Sequence, residues 1–507
     1  MSRTTLSKSE YLLFLKHPAW LWLKKHDKEK LPPVDDNQQA LFDTGYLIEE
    51  YAQKLFPGGT SLGFSDFSEY QTLTHRTQEA LKSGATTLFQ GKFDSEQLAC
   101  ICDILVFTGP KTVELYEVKS STKVKPEHEH DLAFQMTVLE NLGYTVDKIA
   151  VVHINNGYVR NGEIDCEQLF TVSDVTEAVR AKRTPTNHNI TEALKVIESS
   201  TIPDISPRHA RNGTIYEWLP IFKALASFAS GSIYDICTPT PNLFAELEDL
   251  GITNLVDIPD AITLSDKQML HVQSTRNGQR TVDGTKIEEF LNTMQFPLYF
   301  LDYETLSSAI PAFDGLRPYQ QIPCQYSLHV LETPGGDLKH FEYLHRTNTN
   351  PAQELAKSLK ENIGSTGTVL VWYEKFEKGC NRDLAKLAPE YKEFFTQLND
   401  RIVDLMWPFS NGWYVDPGFK GSSSIKKILP ILVPELKHSD LDISEGATAQ
   451  RLWMQAVLDG KEDIDKETLF HNLCEYCKLD TLAMVKIFEA ISKPLGETPT
   501  KLQTAHI

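Results

Sequence analysis

The spacing of apolar residues changes from a helical to a strand-like period after residue 85. Three amphipathic stretches come first, in "SKSEYLLFLKHPAWLWLKK", "LFDTGYLIEEYAQKLFPGG" and "SEYQTLTHRTQEALKSG", and each predicts a helix. Ser7 or Ser9 is a candidate cap for the first of them. The short β-rich runs "TTLFQGKF", "LACICDILVF" and "TVELYEVK" follow, "DLAFQMTVLENLG" returns to helix, and two further strands complete the pattern. These alternations predict a mixed α/β domain over residues 1–180.

A second α/β pattern begins near residue 291. Strands are predicted in "FPLYFLDYET", "PCQYSLHVLET", "LKHFEYLH" and "GTVLVWYE", and helices dominate from there to "LFHNLCEYCKLDTLAMVKIFEAIS". Residues 181–290 are mainly helical and are expected to form a connector. The tail, 496–507, is expected to be loose. The chain is therefore predicted to carry two α/β domains, at 1–180 and 291–495.

The first candidate site depends on the length of one hairpin loop. Glu117 and Lys119 share a face of their strand because side chains alternate. If the loop before that strand is Gly109–Lys111, Asp103 lies opposite Glu117. A two-residue loop would turn Asp103 to the other face of the sheet.

Given the three-residue loop, two carboxylates and an ammonium meet at the end of a sheet. Divalent cations such as Mg²⁺ take oxygen ligands, so Asp103 and Glu117 are candidate metal ligands. Glu50, on a preceding helix, is a candidate third ligand. Lys119 is expected to orient water, and Gln135 to fix that water or a phosphate oxygen. An idle Glu/Lys pair on a surface hairpin is the alternative, but Asp103 stands in a run too apolar for an unpaired charge.

The order of Asp103, Glu117-Val118-Lys119 and the Gln135 of "DLAFQ" resembles the RecB-type branch of the PD-(D/E)XK nucleases. The resemblance implies a restriction-endonuclease-like fold with these residues as its catalytic set. Relatives with an iron–sulfur cluster carry an N-terminal Cys-Pro and a later cysteine cluster. This chain has His17-Pro18 and no such cluster, so no iron–sulfur centre is expected.

The second candidate site begins with Asp302 and Glu304, two positions apart on an apolar strand and hence on one face. Tyr476 and Asp480 are four apart and adjacent on a helix, although an ordinary helix pair is the alternative for these two. Glu377 follows another strand, with Asp404 as the runner-up. Three or four carboxylates from separate elements can bind two divalent ions for phosphodiester chemistry.

Together "LDYET" and Tyr476-x-x-x-Asp480 resemble the first and third motifs of the DEDD exonucleases, the DnaQ-like branch of the ribonuclease H fold. The second motif of that family normally supplies an Asp, where this chain offers Glu377. The fusion as a whole resembles a bacterial domain-of-unknown-function family, most closely over 290–495. The DEDD resemblance implies Asp302, Glu304, Glu377 and Asp480 as metal ligands and Tyr476 as a catalytic hydroxyl, and the fusion family implies two nuclease folds in one polypeptide. In "FKGSSSIKKILP", small residues before two lysines can grip phosphate or merely cap a helix.

Composition narrows the class of protein. The chain has 507 residues, 41% hydrophobic and 23% charged, which is typical of soluble globular proteins. Its net charge of −19 argues against non-specific wrapping of nucleic acid. Its eight cysteines are scattered, so a reducing cytoplasm is expected rather than a disulfide framework. No secretory signal, membrane span, zinc site or phosphate-binding P-loop is predicted.

These observations predict a cytoplasmic nuclease dependent on Mg²⁺ or Mn²⁺, with a RecB-type module and a module that trims 3′ ends. DNA is favoured over RNA as the substrate, in processing, repair or antiviral defence, and a protein partner is possible. The alternative is a nucleic-acid-binding or scaffold protein in which one or both sites are degenerate. Metal binding that Asp302→Ala removes would separate the two.

Overall fold

The structure is a computed structural model that describes residues 5–211, 213–436, 443 and 445–493. The predicted loose tail, 496–507, lies outside these residues. The chain divides into two compact units, which consist of Met1–Ala229, Pro239–Gly251 and Ser308–Tyr319 in the first, and Ser230–Thr238, Ile252–Ser307 and Gln320–Ile507 in the second. Both units mix helices and strands, so the mixed α/β prediction is confirmed. The region predicted as a connector, 181–290, is divided between them.

The first unit contains a seven-stranded mixed sheet in the order β2-β3-β4-β5-β6-β7, with β1 paired to β4. Its strands are β1 Leu6–Ser7, β2 Thr60–Ser61, β3 Thr87–Ser95, β4 Leu98–Phe107, β5 Thr112–Lys119, β6 Thr145–Ile154 and β7 Phe170–Asp174. Its helices are α1 Lys8–Lys16, α2 Pro18–His26, α3 Asp36–Gln53, α4 Phe67–Lys82, α5 Pro126–Asn141, α6 Cys166–Leu169, α7 Thr176–Ala181, α8 Arg183–Glu198, α9 Ile215–Leu225 and α10 Pro241–Asp249.

The first predicted helix is two helices. Ser7 caps α1 through a capping box, in which its side chain accepts from the Glu10 amide and the Glu10 side chain accepts from the Ser7 amide. His17 takes an extended conformation and ends α1, and Pro18 starts α2 at the position where its missing N–H costs nothing. The apolar period alone gave no sign of this break, because both helices bury the same kind of residue.

The second unit contains a five-stranded sheet in the order β11-β10-β9-β12-β13 and a two-stranded β8–β14 pair. Its strands are β8 Thr281–Val282, β9 Leu298–Leu306, β10 Ile322–Leu331, β11 Leu338–Leu344, β12 Thr368–Val371, β13 Ile402–Asp404 and β14 Tyr414–Val415. Its helices are α11 Asp266–Asn277, α12 Gly284–Leu291, α13 Ala352–Asn362, α14 Glu374–Leu387, α15 Lys392–Asp400, α16 Trp407–Ser410, α17 Ile425–Leu432, α18 Gly446–Val457 and α19 Lys466–Ile491.

The five-stranded sheet is antiparallel on one side of its central strand and parallel on the other. β9 pairs antiparallel with β10 and parallel with β12. Two cores flank it: Leu301 and Tyr303 pack into one, and Phe300 with Met484 of α19 into the other. A central strand covered on both faces explains why β9 reads as a nearly continuous apolar run. Among the described residues, no helix combines the length and the apolar character that crossing a bilayer requires.

Trp453 tests how strongly the second unit depends on α18. Its side chain is 1% exposed, and its indole N–H donates to the His345 carbonyl at 2.7 Å. We expect Trp453→Ala to lower the free energy of unfolding of this unit by about 3–5 kcal/mol. Trp407→Ala is the control, since Trp407 is 38% exposed, and we expect it to cost less than about 2 kcal/mol. Urea unfolding followed by circular dichroism gives both values. An equal loss of unfolding free energy in the two variants would contradict the structural role of Trp453.

Candidate functional site

Asp302 and Glu304 lie on β9 and face the long helix α19. They are opposite Ser327 and Gln325 of the neighbouring strand β10. Ser327 and Gln325 hold the helix in place. The Gln325 side-chain amide donates to the Leu473 carbonyl at 2.8 Å, and the Ser327 and Thr481 hydroxyls are 2.7 Å apart. The carboxylates are therefore placed by regular elements rather than by a loop.

The structure brings together three of the acids that the sequence predicted. One carboxylate oxygen each from Asp302, Glu304 and Asp480 lies within 4.8 Å of the others. They line a cleft of about 230 Å³. The rest of its lining is Tyr303, Trp372, Tyr373, Phe376, Glu377, Ile425, Lys426, Tyr476 and Met484. The arrangement offers several hard oxygen ligands at one point, which is the donor set that divalent cations prefer.

The structure distinguishes Glu377 from Asp404. Asp404 accepts three backbone hydrogen bonds, from the Tyr373, Glu374 and Met406 amides, each at 3.0 Å. Its two oxygens therefore anchor the start of α14. Glu377, one turn into α14, is 2% exposed and lines the cleft, and its Oε2 is buried without a hydrogen-bond partner. Glu377 is the acid available to a cation, as the sequence preferred.

Burial and mutual repulsion make these carboxylates hard to ionise. Burial raises the pKa of Glu304 to about 8, and the charge of Asp480 adds to the effect while Lys426 opposes it. Burial likewise raises the pKa of Asp302 well above its usual range, followed by repulsion from Asp480, Glu377 and Glu304. The pKa of Glu377 is raised by burial and then by Glu304 and Asp404. Acids in this state retain protons at neutral pH unless a cation replaces them.

Two further side chains complete the cleft. Tyr476 is 3% exposed, and burial, reinforced by Asp480 and Glu304, raises the pKa of its phenol, so the hydroxyl stays protonated. Lys426, in the first turn of α17, lies with its ammonium 5.8 Å from the centre of the Tyr476 ring. The lysine belongs to the "GSSSIKK" motif, for which the sequence predicts either a phosphate contact or a helix cap. Its place in the cleft lining agrees with a phosphate contact.

In the first unit, the β4–β5 hairpin loop has the length that places Asp103 opposite Glu117. The β4–β5 ladder pairs Phe107 with Val113 and ends at Ile104 opposite Tyr116. The next positions are Asp103 and Glu117. The Asp103 carboxylate accepts from the Val118 amide at 2.9 Å. The Thr108 amide donates to the Thr112 carbonyl at 3.0 Å, so the loop is Gly109–Lys111 as predicted, and Asp103 and Glu117 lie side by side.

Lys119 and Gln135 both contact Glu117. The Lys119 ammonium donates to Glu117 Oε1 at 2.6 Å, and the Gln135 amide donates to Glu117 Oε2 at 2.6 Å. The same two donors also bind Asp131, at 2.7 Å and 2.9 Å. Gln135 is 0% exposed, and its amide oxygen is buried without a hydrogen-bond partner. That oxygen is a candidate acceptor or ligand inside the site.

The structure brings Glu49, and not the predicted Glu50, to this site. Ile48 and Ala52 form the buried face of α3, and Glu49 lies at its edge while Glu50 points outward and is exposed. Burial raises the pKa of Glu49 to about 8, with repulsion from Asp103 and Glu117 next. The buried pair at positions 48 and 52 was the sequence signal that could have selected Glu49.

Sequence reasoning also missed Lys8 and Asp131. Asp131 is four residues before Gln135 on α5, so helical spacing alone places the two side chains together. Lys8 gave no such signal. Its ammonium reaches Glu117 Oε1 at 2.9 Å, and it lies 3.7 Å from Asp131 and 4.0 Å from Asp103. Only the tertiary structure brings the start of α1 to residues more than ninety positions away.

Comparison with known proteins gives a family match but no activity. A family described as a domain of unknown function, DUF2779, matches residues 299–424. The match includes β9 and α14, and therefore Asp302, Glu304 and Glu377, but it ends before α17 and α19. The predicted resemblance to a domain-of-unknown-function family is confirmed to this extent.

Curated relatives come from mycoplasmas. The uncharacterized protein MG366 of Mycoplasma genitalium is 27% identical over 222 residues, which are 40% of this chain and 33% of that protein. The uncharacterized protein UU173 of Ureaplasma parvum is 24% identical over 249 residues, 45% of this chain and 35% of that protein. The chain thus spans about a third of the length of the curated relatives it matches.

Separate substitutions of Glu377 and Asp404 test the different roles of these two acids. Asp404→Ala leaves the Tyr373, Glu374 and Met406 amides without their acceptor, so we expect it to lower the free energy of unfolding by about 2 kcal/mol or more. Glu377→Gln replaces a buried carboxyl whose ionisation is opposed by burial and by Glu304, so we expect no loss of stability without metal, but weaker Mn²⁺ binding. Urea unfolding and calorimetric titration measure the two effects. A larger stability loss for Glu377→Gln than for Asp404→Ala would contradict these roles.

The acidic cleft also predicts a pH dependence of stability. Glu304 has a folded pKa of about 8, above its ordinary 4.5, so the folded chain holds a proton that the unfolded chain loses. The stabilising effect of this proton is complete below 4.5 and is lost as the pH rises towards 8. We expect Glu304→Gln to flatten the fall in thermal unfolding midpoint across this range when metal is absent. Parallel profiles for the two proteins would contradict this.

Proposed function

We propose that the chain is a divalent-metal-dependent nuclease, and that the acidic cleft of the second unit is its main hydrolytic site. The convergence of Asp302, Glu304 and Asp480 within 4.8 Å carries the proposal. Such a group does not favour folding by itself, because each carboxylate raises the free-energy cost of ionising the next. Glu377 supports it independently, since a buried carboxylate oxygen without a partner calls for a ligand.

The residues present fit Mg²⁺ or Mn²⁺. Asp302, Glu304 and Asp480, whose ligand atoms lie close together, and Glu377 beside them in the cleft lining are all carboxylates, which suit hard cations. Asp302, Glu304, Glu377 and Asp480 would hold the ions. Divalent cations at such a site supply Lewis acidity towards water and towards phosphate oxygens.

The other side chains of the cleft suit a nucleic acid. The protonated Tyr476 hydroxyl can donate to a phosphate oxygen or orient the attacking water. Lys426 can bind a backbone phosphate as a point charge. Tyr373 is 49% exposed and shares the cleft wall with Trp372 and Phe376, so a nucleobase can stack there. Such stacking favours an unpaired strand end over an intact duplex.

The arrangement of the second unit supports a specific fold for it. A central strand with Asp302 and Glu304, and a covering helix with Tyr476 and Asp480, agree with a ribonuclease H-like exonuclease domain of the DnaQ type. Removal of nucleotides from 3′ ends is the corresponding activity, with DNA as the favoured substrate.

The first unit supports a second, RecB-type module. Asp103, Glu117, Lys119 and Gln135 converge on one point, as that resemblance implied. Asp131 and Glu49 add two acids to the group. The rival proposal, a nucleic-acid-binding protein with degenerate sites, predicts the same folds but no metal-dependent cleavage. Cleavage assays therefore separate the two.

Strand cleavage with site-specific variants tests the proposal. The wild-type chain is incubated with Mn²⁺ and end-labelled single- and double-stranded DNA and RNA. We expect release of nucleotides from single-stranded 3′ ends, and we expect Asp302→Asn and Asp480→Asn each to lower the rate by at least about a hundredfold. Glu475→Gln is the matched control on the same helix, since Glu475 pairs only with the nearby Lys478 among the contacts described.

Lys119→Ala reports on the first module. Loss of internal cleavage in Lys119→Ala, with end trimming retained, would assign the two activities to the two units. Intact substrates with the wild-type chain under every metal and substrate condition would overturn the nuclease proposal and favour the binding protein.

A further inference from the structure

The first-unit site already contains a cation of its own. The Lys8 ammonium lies 2.9 Å from Glu117 Oε1, on the carboxylate that the RecB-type reading assigns to metal. Asp131 Oδ1 and Asp103 Oδ1 lie 3.7 Å and 4.0 Å from it. Lys8 is therefore surrounded by three carboxylates from two strands and a helix.

The position of Lys8 is unfavourable without those carboxylates. Lys8 is the first residue of α1, and the dipole of a helix disfavours a cation at its N-terminus. Its charge also repels the Lys119 ammonium, which binds the same Glu117 oxygen. Burial disfavours the Lys8 cation, yet attraction by Asp131, Glu117 and Asp103 outweighs burial and raises the pKa of Lys8 well above its usual range. The acids are what keep Lys8 in place.

The backbone next to Lys8 fixes its approach. Leu6 and Ser7 form β1, which pairs parallel with Leu98 and Ala99 of β4. The Leu6 amide donates to the Gln97 carbonyl at 2.7 Å, and the Leu6 side chain is 0% exposed. β4 is also the strand that carries Asp103. Docking of this two-residue strand therefore places Lys8 at the carboxylates.

Nitrogen donors occupy the oxygens that a metal would take. Glu117 Oε1 accepts from both lysines and Oε2 from Gln135, and Asp131 accepts from Lys119 and Gln135. Asp103 Oδ2 accepts from the Val118 amide. The described residues contain one three-acid group with mutually close ligand atoms, and it lies in the second unit. Gln135 Oε1 is buried without a hydrogen-bond partner, so the first unit retains one oxygen that a ligand can use.

We propose that Lys8 is a built-in competitor that keeps divalent cations out of the first-unit site while β1 is docked. The inference rests on the proposed nuclease function only in reading this site as a metal site. Glu117, Asp103, Asp131 and Gln135 become available to a cation when Lys8 withdraws. β1 pairs with β4 through two residues, so its opening breaks few backbone hydrogen bonds.

Metal binding tests this without any measure of activity. Asp302→Asn and Asp480→Asn are combined first, so that the second-unit cluster does not contribute. In this background, Lys8→Met removes the ammonium and retains an apolar side chain of similar length. Lys16→Met is the matched control at the other end of α1, where the lysine binds the exposed Glu217. Free Mn²⁺ is followed by electron paramagnetic resonance, and thermal unfolding is measured with and without Mn²⁺.

We expect Lys8→Met to bind Mn²⁺ at least about tenfold more tightly than the background protein, a difference of about 1.4 kcal/mol. Mn²⁺ should raise the unfolding midpoint of Lys8→Met and leave that of Lys16→Met unchanged. Adding Glu117→Gln to Lys8→Met should abolish the gain. If Lys8→Met does not stay folded without metal, Lys8→Gln, which keeps an N–H donor, takes its place.

The proposal would be overturned if the Lys8→Met variant and the background protein bound Mn²⁺ with equal affinity, whether strong or weak. It would also be overturned if the tighter binding of Lys8→Met remained after Glu117→Gln was added. Failure of the second-unit proposal is seen separately. It appears as equal Mn²⁺ binding by the wild-type chain and the doubly substituted background.

Discussion

The mutual repulsion of buried carboxylates is the constraint on which this molecule depends. In the second unit, Asp302, Glu304, Glu377 and Asp480 are brought together by a strand and two helices that are themselves fixed by packing. Burial and repulsion between these charges raise the pKa of Asp302, Glu304 and Glu377. In the first unit the same problem has a different solution, because Lys8 and Lys119 supply two ammonium groups.

Precision in the acidic cleft comes from hydrogen bonds behind it. Gln325 and Ser327 attach α19 to β10. Tyr303, between the two strand acids, donates to Asn381 of α14 at 2.8 Å, and Asn381 binds Asn399 of α15 at 2.8 Å. Asp404 fixes the first turn of α14 from the adjacent strand. The elements that carry the carboxylates are thus held by polar contacts that do not use the oxygens of the four cleft acids, which is how a site keeps its geometry while its charges repel.

The sequence was most informative where the chemistry depends on alternation along a strand. Side-chain parity placed Asp302 with Glu304, and one loop length placed Asp103 opposite Glu117. Helical spacing paired Tyr476 with Asp480. Choices that depend on the exact rotation of a helix were less secure: α3 presents Glu49 to the site, whereas the sequence favoured Glu50. Lys8 could not be predicted, since its position follows from the pairing of β1 with β4, and two residues carry too little pattern to reveal that pairing.

The path of the chain has a consequence for how the protein is made. Ser308–Tyr319 belongs to the first unit although it joins β9 to β10 of the second, and Pro239–Gly251 is a similar excursion. Neither unit is therefore an uninterrupted stretch of polypeptide. During synthesis the first unit stays incomplete until Tyr319 has left the ribosome, by which time β9 with Asp302 and Glu304 has already emerged. A cut at any single point of the chain therefore divides at least one of the two units.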